Sequence, residues 1–269
     1  MRCRALLVGC GNMGSAMLRG WLAQGLAATD ITVVEPSIER AGLVLEHGVT
    51  VLSDPKSLGT SFLVDAIIFA VKPQAMEAIV PLYSNIQGRP VFISIGAGKQ
   101  STFFERLLGQ GAAVVRSMPN TPSLVRRGIA VAYANGNVQF EQRRLCTDLL
   151  EAIGEVAWVD DENLMDAVTA VSGSGPAYVF LLIECLTQAG VEAGLSVALA
   201  NQLALSTVAG AGELARKVPE SPADLRKQVT SPGGTTEAAL EILMEPRGLQ
   251  TLMTRAVAAA AKRSRELAG

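Results

Sequence analysis

Histidine is almost missing from this chain: 269 residues hold one, His47. Cysteine is sparse as well, with Cys3, Cys10, Cys146 and Cys185 scattered and no CxxC spacing among them. The two shortages together exclude a structural zinc site and leave no metal to expect, while scattered thiols fit a reducing compartment. An excess of one charge is also lacking, since 23 Lys+Arg against 25 Asp+Glu give a formal net charge of −2. A nucleic-acid partner would call for a basic excess on one face, so none is expected. Long apolar runs are few. Residues 5–8 run at once into a Gly-rich turn, and residues 176–189 carry Glu184 and fall short of the roughly 20 needed to span a bilayer. These absences predict a cytoplasmic protein with no membrane partner.

Core material, by contrast, is plentiful. With 49% hydrophobic and 18% charged residues, intrinsic disorder is excluded, and the length suggests two domains at roughly 150 residues each. Up to about Asp160, apolar runs alternate with helical patterns: residues 4–8, 31–34, 66–71, 91–95 and 112–115, then 129–134 and 155–159. A helix is expected from Asn12 to Gln24, another through Ile38, Ala41 and Leu45, and a third over residues 140–153. Continuous apolar strands between helices require a parallel sheet covered on both faces. Beyond Asp160 no strand is legible, only Ala/Leu/Gly-rich helices with breaks at residues 173–176, 194, 219–222, 232–234 and 246–248. Helices apolar nearly all round must be buried, and so short a segment offers little interior, so part of that surface is expected to meet another subunit. The fold class is therefore α/β, a Rossmann-type doubly wound parallel sheet (residues 1–160) followed by an all-α dimerisation domain (161–269).

Gly9-Cys10-Gly11-Asn12-Met13-Gly14 is a GxGxxG pattern placed after a strand and at a helix start. The first glycine permits the tight turn, the second admits a pyrophosphate, and the third lets helix and strand pack closely. An acid ends the second strand: Glu35, 21 residues past Gly14, near the expected spacing of about 20. A carboxylate there accepts hydrogen bonds from the adenosine ribose and repels a 2′-phosphate, favouring NADH, whereas Ser37 and Arg40 just beyond could hold that phosphate and suit NADPH.

Reducing a carbonyl needs a proton donor, ordinarily His, Lys or Tyr. His47 lies in the polar segment after the second strand and reads as a surface residue. No lysine follows Gly173-Ser174-Gly175-Pro176, whose next residues are Ala177, Tyr178, Val179 and Phe180. A substrate that is already cationic, such as a protonated cyclic imine, needs no strong acid. The second Gly-rich cluster, Ser231-Pro232-Gly233-Gly234-Thr235-Thr236, bares backbone N–H groups at a helix start, which suits a small carboxylate. Thr235 or Thr236 could cap that helix and also offer a hydroxyl.

That cluster, with Val171-Ser172-Gly173-Ser174-Gly175-Pro176-Ala177-Tyr178, Ala70-Val71-Lys72-Pro73 and Met118-Pro119-Asn120-Thr121-Pro122, resembles Δ1-pyrroline-5-carboxylate reductase over nearly the whole chain. The resemblance implies NAD(P)H reduction of the C=N bond of 1-pyrroline-5-carboxylate to L-proline, the last step of proline biosynthesis. It implies that Gly9, Cys10, Gly11, Asn12, Met13 and Gly14 hold the pyrophosphate, that Ser37 sits by the adenosine 2′-position, and that Val71, Lys72 and Pro73 line the groove. Ala97 would lie on the next loop and Asn120 near the nicotinamide end. Ser231, Gly233, Gly234, Thr235 and Thr236 would cradle the substrate carboxylate, with Thr236 the catalytic hydroxyl nearest the ring nitrogen. An interlocked homodimer is implied, with a decamer of dimers among the larger rings. Two residues depart from the pattern: Glu35 stands where many relatives carry a small or neutral residue, and Leu225-Arg226-Lys227-Gln228 replaces the more usual Lys-Asp pair. Two other readings are a small hydroxy-acid dehydrogenase and a nucleotide-binding regulator without catalysis.

Overall fold

Short aliphatic and β-branched runs build one eight-stranded sheet. It is seen in a computed structural model that describes residues 3–37, 39–40, 45–59 and 62–268. The strands are β1 (Ala5–Val8), β2 (Ile31–Val34), β3 (Thr50–Leu52), β4 (Ala66–Phe69), β5 (Val91–Ser94), β6 (Ala113–Met118), β7 (Gly128–Ala134) and β8 (Gly154–Trp158). Their order is β3-β2-β1-β4-β5-β6-β7-β8, and every pairing is parallel except β6 with β7. The link over residues 119–127 is shorter than the dozen or more residues a parallel crossover needs, so β7 returns antiparallel. The sheet is thus doubly wound as expected, with one antiparallel pair and one edge strand, β3, that the sequence did not reveal.

Among the described residues, the α-helices of this unit up to Gly173 include α1 (Asn12–Ala23), α2 (Met76–Ile79), α3 (Ser101–Leu108), α4 (Phe140–Glu151) and α5 (Met165–Val168). One face of the sheet is covered by Met17, Leu18 and Trp21 of α1 with Cys146, Leu149 and Leu150 of α4. The buried Trp21 indole satisfies its N–H on the Leu149 carbonyl at 2.8 Å. The other face carries Met76, Val80, Tyr83 and Phe104 against Phe69 and Phe92. Because both faces are covered, β1, β4 and β5 are buried at every residue. Of the helix expected through Ile38, Ala41 and Leu45, Ile38 and Ala41 lie outside the described residues.

Contacts divide the chain into two compact units, Met1–Gly173 with Ala260–Gly269, and Ser174–Ala259. The second unit is wholly helical, with α6 (Gly175–Glu192), α7 (Val197–Lys217), α8 (Pro222–Gln228), α9 (Thr235–Leu243) and the first part of α10 (Leu249–Ala268). At the expected break over residues 173–176, a π-helical turn (Thr169–Gly173) and a bend at Ser174 precede α6, which takes Pro176 into its first turn, where its missing N–H costs no hydrogen bond. The stretch Glu162–Glu192 is 31 residues, long and apolar enough by length and composition to cross a membrane, unlike the shorter run the sequence suggested.

Helices α6 and α7 meet through small residues. A Cβ on Gly190 would lie 3.1 Å from that of Ala200, and Ala200 and Ala204 are the buried residues of α7. No residue of α6 is buried within one copy of the chain, and Phe180 and Leu181 are more than half exposed. So large an uncovered apolar surface fits the expectation that these helices meet another subunit.

Candidate functional site

The Gly-rich turn is shaped by what its glycines exclude. Gly9 has φ +88°, and a Cβ there would lie 2.7 Å from Val71 Cγ1 and 3.0 Å from the Ala70 carbonyl oxygen. A Cβ on Gly14 would overlap the Gly9 carbonyl, so this residue sets how closely α1 packs on β1. Gly11 differs: nothing lies within 4 Å of its Cβ position. It is the N-cap of α1, with no side-chain cap and no acidic residue in the first turn. The first-turn amides lack intrahelical acceptors and the space beside Gly11 is open, which suits a pyrophosphate.

Those amides open on a groove of about 930 Å³ where the strand order reverses between β1 and β4. Such a reversal is where doubly wound sheets bind dinucleotides. Gly9, Gly11, Asn12 and Met13 line it from one side and Val71, Lys72, Pro73 and Ala97 from the other, with Glu35 and Arg40 at the β2 end.

Glu35 does more than face the groove. It is 3% exposed; Oε2 accepts the Cys10 amide at 2.8 Å and Oε1 the Ser37 amide at 3.0 Å. The carboxylate thereby ties the end of β2 to the Gly-rich turn. Arg40 Nη1 approaches Glu35 Oε2 at 3.9 Å and is otherwise exposed. Cys10 is buried, its side chain 3.4 Å from the Ser15 hydroxyl, and burial pushes its thiol pKa up. Cys10, Gly14 and Ser37 thus shape the turn from behind, outside the groove lining.

Asn120 also stands outside the lining. Its Oδ1 accepts the Ile129 amide at 3.0 Å and its Nδ2 donates to the Ser172 carbonyl at 3.2 Å, so its amide pins β7 to the π-helical turn. The sequence did not single out a further tie: Glu162 accepts the Ser101 amide and hydroxyl, each at 2.7 Å, and Arg116 Nη1 at 2.6 Å. This fixes the start of α3, just after the groove-lining loop at Ala97, to β6 through Arg116. Ser53, Asp54, Pro55 and Tyr83 line the groove and were also missed. They follow the unrecognised β3 or sit in a turn with no motif of its own.

In the helical unit, Gly233 has φ +72° and Gly234 is the N-cap of α9. Neither threonine caps the helix, correcting the expectation for Thr235 and Thr236: no side-chain cap bond is present. The Gly234 amide turns to the Ser231 carbonyl at 3.0 Å. The Gly233 amide donates to Glu237 Oε2 at 2.6 Å, so this loop already holds a carboxylate, its own. The amides of Thr235 and Thr236, in the first turn, have no acceptor within the helix. His47 is exposed, and no group of His, Cys, Asp and Glu able to hold a metal occurs among the described residues.

Residues 162–267 match the family described as pyrroline-5-carboxylate reductase dimerisation, and residues 5–98 match the NADP oxidoreductase coenzyme F420-dependent family. A pyrroline-5-carboxylate reductase of Pseudomonas aeruginosa is 42% identical over 98% of this chain and 97% of its own length. The chain belongs to the pyrroline-5-carboxylate reductase family. A Synechocystis reductase is 39% identical, covering 97% of each chain. The solved reductase of Coxiella burnetii superposes with a TM-score of 0.93 at 34% identity, covering 99% of both chains. That of Plasmodium falciparum, solved with NADP bound, gives 0.84 at 29% identity and covers 99% of this chain and 98% of its own. As a pyrroline-5-carboxylate reductase family member the chain is an NAD(P)-dependent oxidoreductase, and residues 162–267 are its dimerisation domain.

Proposed function

We propose that this chain reduces the C=N bond of 1-pyrroline-5-carboxylate to L-proline, the last step of proline biosynthesis, as a cytoplasmic homodimer using NADPH or NADH. The observation that carries this reading is the Gly-Gly bend at the start of α9, where the first-turn amides of Thr235 and Thr236 have no acceptor within the helix. The unpaired first-turn amides of Thr235 and Thr236 are the donors for the substrate's acid group, while Ser231, Gly233 and Gly234 hold the bend in shape.

The reduced nicotinamide supplies the hydride when bound in the groove. What this chain supplies is position, which in well-oriented reactions accounts for roughly 7–11 kcal/mol of barrier. The Thr236 hydroxyl orients the proton on the ring nitrogen. Since the protonated imine is already electrophilic, the near absence of histidine is no handicap. Gly11 and the first turn of α1 receive the pyrophosphate. Asn120 acts at a distance by fixing the π-helical turn. At the adenosine end the Glu35 charge favours NADH, and Arg40 offsets part of it. Exposed faces of α6 and α7 are covered by the dimer partner, and a decamer of dimers is the further assembly in keeping with the family resemblance.

The test is a crystal structure with L-proline bound. Its carboxylate is expected on the Thr235 and Thr236 amides; an acid group bound away from residues 231–236 refutes the assignment.

A further inference from the structure

Between β5 and α3 the chain runs through Ile95, Gly96, Ala97, Gly98, Lys99 and Gln100. The first three of these line the dinucleotide groove. They follow β5, on the other side of β1 from β2, Glu35 and Arg40. In a doubly wound sheet the pyrophosphate sits at the first strand-to-helix turn and the acid ending β2 faces the adenosine ribose. The β4–β5 side, with this loop, is therefore left for the nicotinamide half.

Both ends of the loop are tied to one strand residue. At its start, Ser94 pairs with Arg116 in the β5–β6 ladder. At its end, Arg116 Nη1 donates to Glu162 Oε1 at 2.6 Å, and the same carboxylate accepts the Ser101 amide and hydroxyl, each at 2.7 Å. Gln100 is the N-cap of α3 but makes no side-chain cap bond. The Ser101 amide, a first-turn donor without an acceptor in its own helix, thus receives from Glu162 what a local cap would have supplied. Inside the loop the ties are slighter: the Gly96 amide reaches the Ser94 hydroxyl at 3.4 Å, and Gly98 turns at φ +81°. A Cβ on Gly96 would overlap the buried Met76, so the loop already rests on its floor and its remaining freedom is set at the Ser101 end. A largely buried ion pair is a costly cap for an eight-residue helix, where serine or aspartate at position 100 would serve. What the pair adds is a fixed tether from the loop to β6.

We propose that Glu162 is a positioning residue for the nicotinamide half of the cofactor, acting through Ser101 on the loop over residues 95–100. Glu162 itself lies outside the groove lining. The inference rests on the groove being a dinucleotide site, but not on the identity of the imine.

The experiment measures NADH and ADP-ribose affinity by calorimetric titration for wild type, Glu162→Ala, Glu162→Gln and Ser101→Ala, recording Tm without ligand. Both changes at Glu162 leave the Arg116 guanidinium without its counter-charge, so both are expected to lower Tm. Only Glu162→Ala releases Ser101, because glutamine keeps an oxygen for the Ser101 amide and an N–H for its hydroxyl. Glu162→Ala is expected to weaken NADH at least about tenfold with ADP-ribose unchanged, and Glu162→Gln to recover most of that loss despite its lower Tm. Ser101→Ala keeps the ion pair and is expected to weaken NADH alone by about three- to tenfold, the worth of one hydrogen bond. That variant carries the test if Glu162→Ala does not fold. Unchanged NADH affinity in Ser101→Ala overturns the inference. So do equal losses for the two ligands, or NADH affinity that simply follows Tm across the variants, which would make the tether structural only. Failure of the wild type to bind ADP-ribose contradicts the groove assignment itself.

Discussion

Glu35 reaches across 25 residues to hold the Cys10 amide at 2.8 Å, joining the end of β2 to the middle of the Gly-rich turn. The same carboxylate holds the Ser37 amide, so the residue read from spacing as a ribose ligand is also a brace for the turn that receives the pyrophosphate. Glu35→Ser removes both acceptors and leaves a buried N–H unpaired. A stability loss of about 2–4 kcal/mol is expected in denaturant titration. Both dinucleotides should bind more weakly, and NADPH should lose less than NADH because the negative charge facing its 2′-phosphate is gone. Unchanged stability together with an unchanged NADPH-to-NADH ratio would mean the brace has no energetic weight.

Gly11 and Gly14 should part company on substitution. Gly11→Ala meets no atom within 4 Å and keeps an ordinary φ of −70°, so Tm should hold while ADP-ribose affinity falls at least about tenfold, as the methyl intrudes on the pyrophosphate. Gly14→Ala drives a methyl into the Gly9 carbonyl and should lower Tm and binding together. Equal effects from the two would contradict the division of labour between them.

Arg116 and Glu162 are both largely buried, at 9% and 18% side-chain exposure, and Ser101 depends on the same carboxylate. Arg116→Met leaves that charge short of its strongest partner, and a loss of about 3–5 kcal/mol is expected from urea unfolding. Arg116→Met with Glu162→Gln should cost less than the single change at Arg116. A double-variant loss equal to the sum of the losses from Arg116→Met and Glu162→Gln alone would show that the pair is not coupled.

Thr236→Ala tests the hydroxyl placed nearest the ring nitrogen. Turnover of pyrroline-5-carboxylate should drop by about 10²-fold, toward the lower end of what proton management contributes, with ADP-ribose affinity unchanged. Full turnover in this variant would remove Thr236 from the chemistry.

Much of the architecture can be read before any coordinates are seen, for a physical reason. Strands buried on both faces, such as Ala66–Phe69, must be continuously apolar, and glycines forced by close approach, such as Gly9 and Gly14, stand out in sequence. The edge strand Thr50–Leu52 escapes notice because it is three residues long and partly exposed, and with it went the Ser53–Asp54–Pro55 wall of the groove. Spacing marks Glu35 but cannot say which amides its oxygens will choose. Composition marks the break near Gly173 and Pro176 but not the π-helical turn that leads into it. At residues 231–236 the sequence shows a bare bend, yet which of its amides are already taken is settled by Glu237, a side chain outside the motif.

The most direct test of the whole account is to incubate the purified protein with pyrroline-5-carboxylate and each reduced dinucleotide, following dinucleotide absorbance and identifying the product by chiral chromatography. One L-proline formed per dinucleotide oxidised is the expected result. A protein that binds the dinucleotide yet leaves it reduced in the presence of the imine would contradict the account.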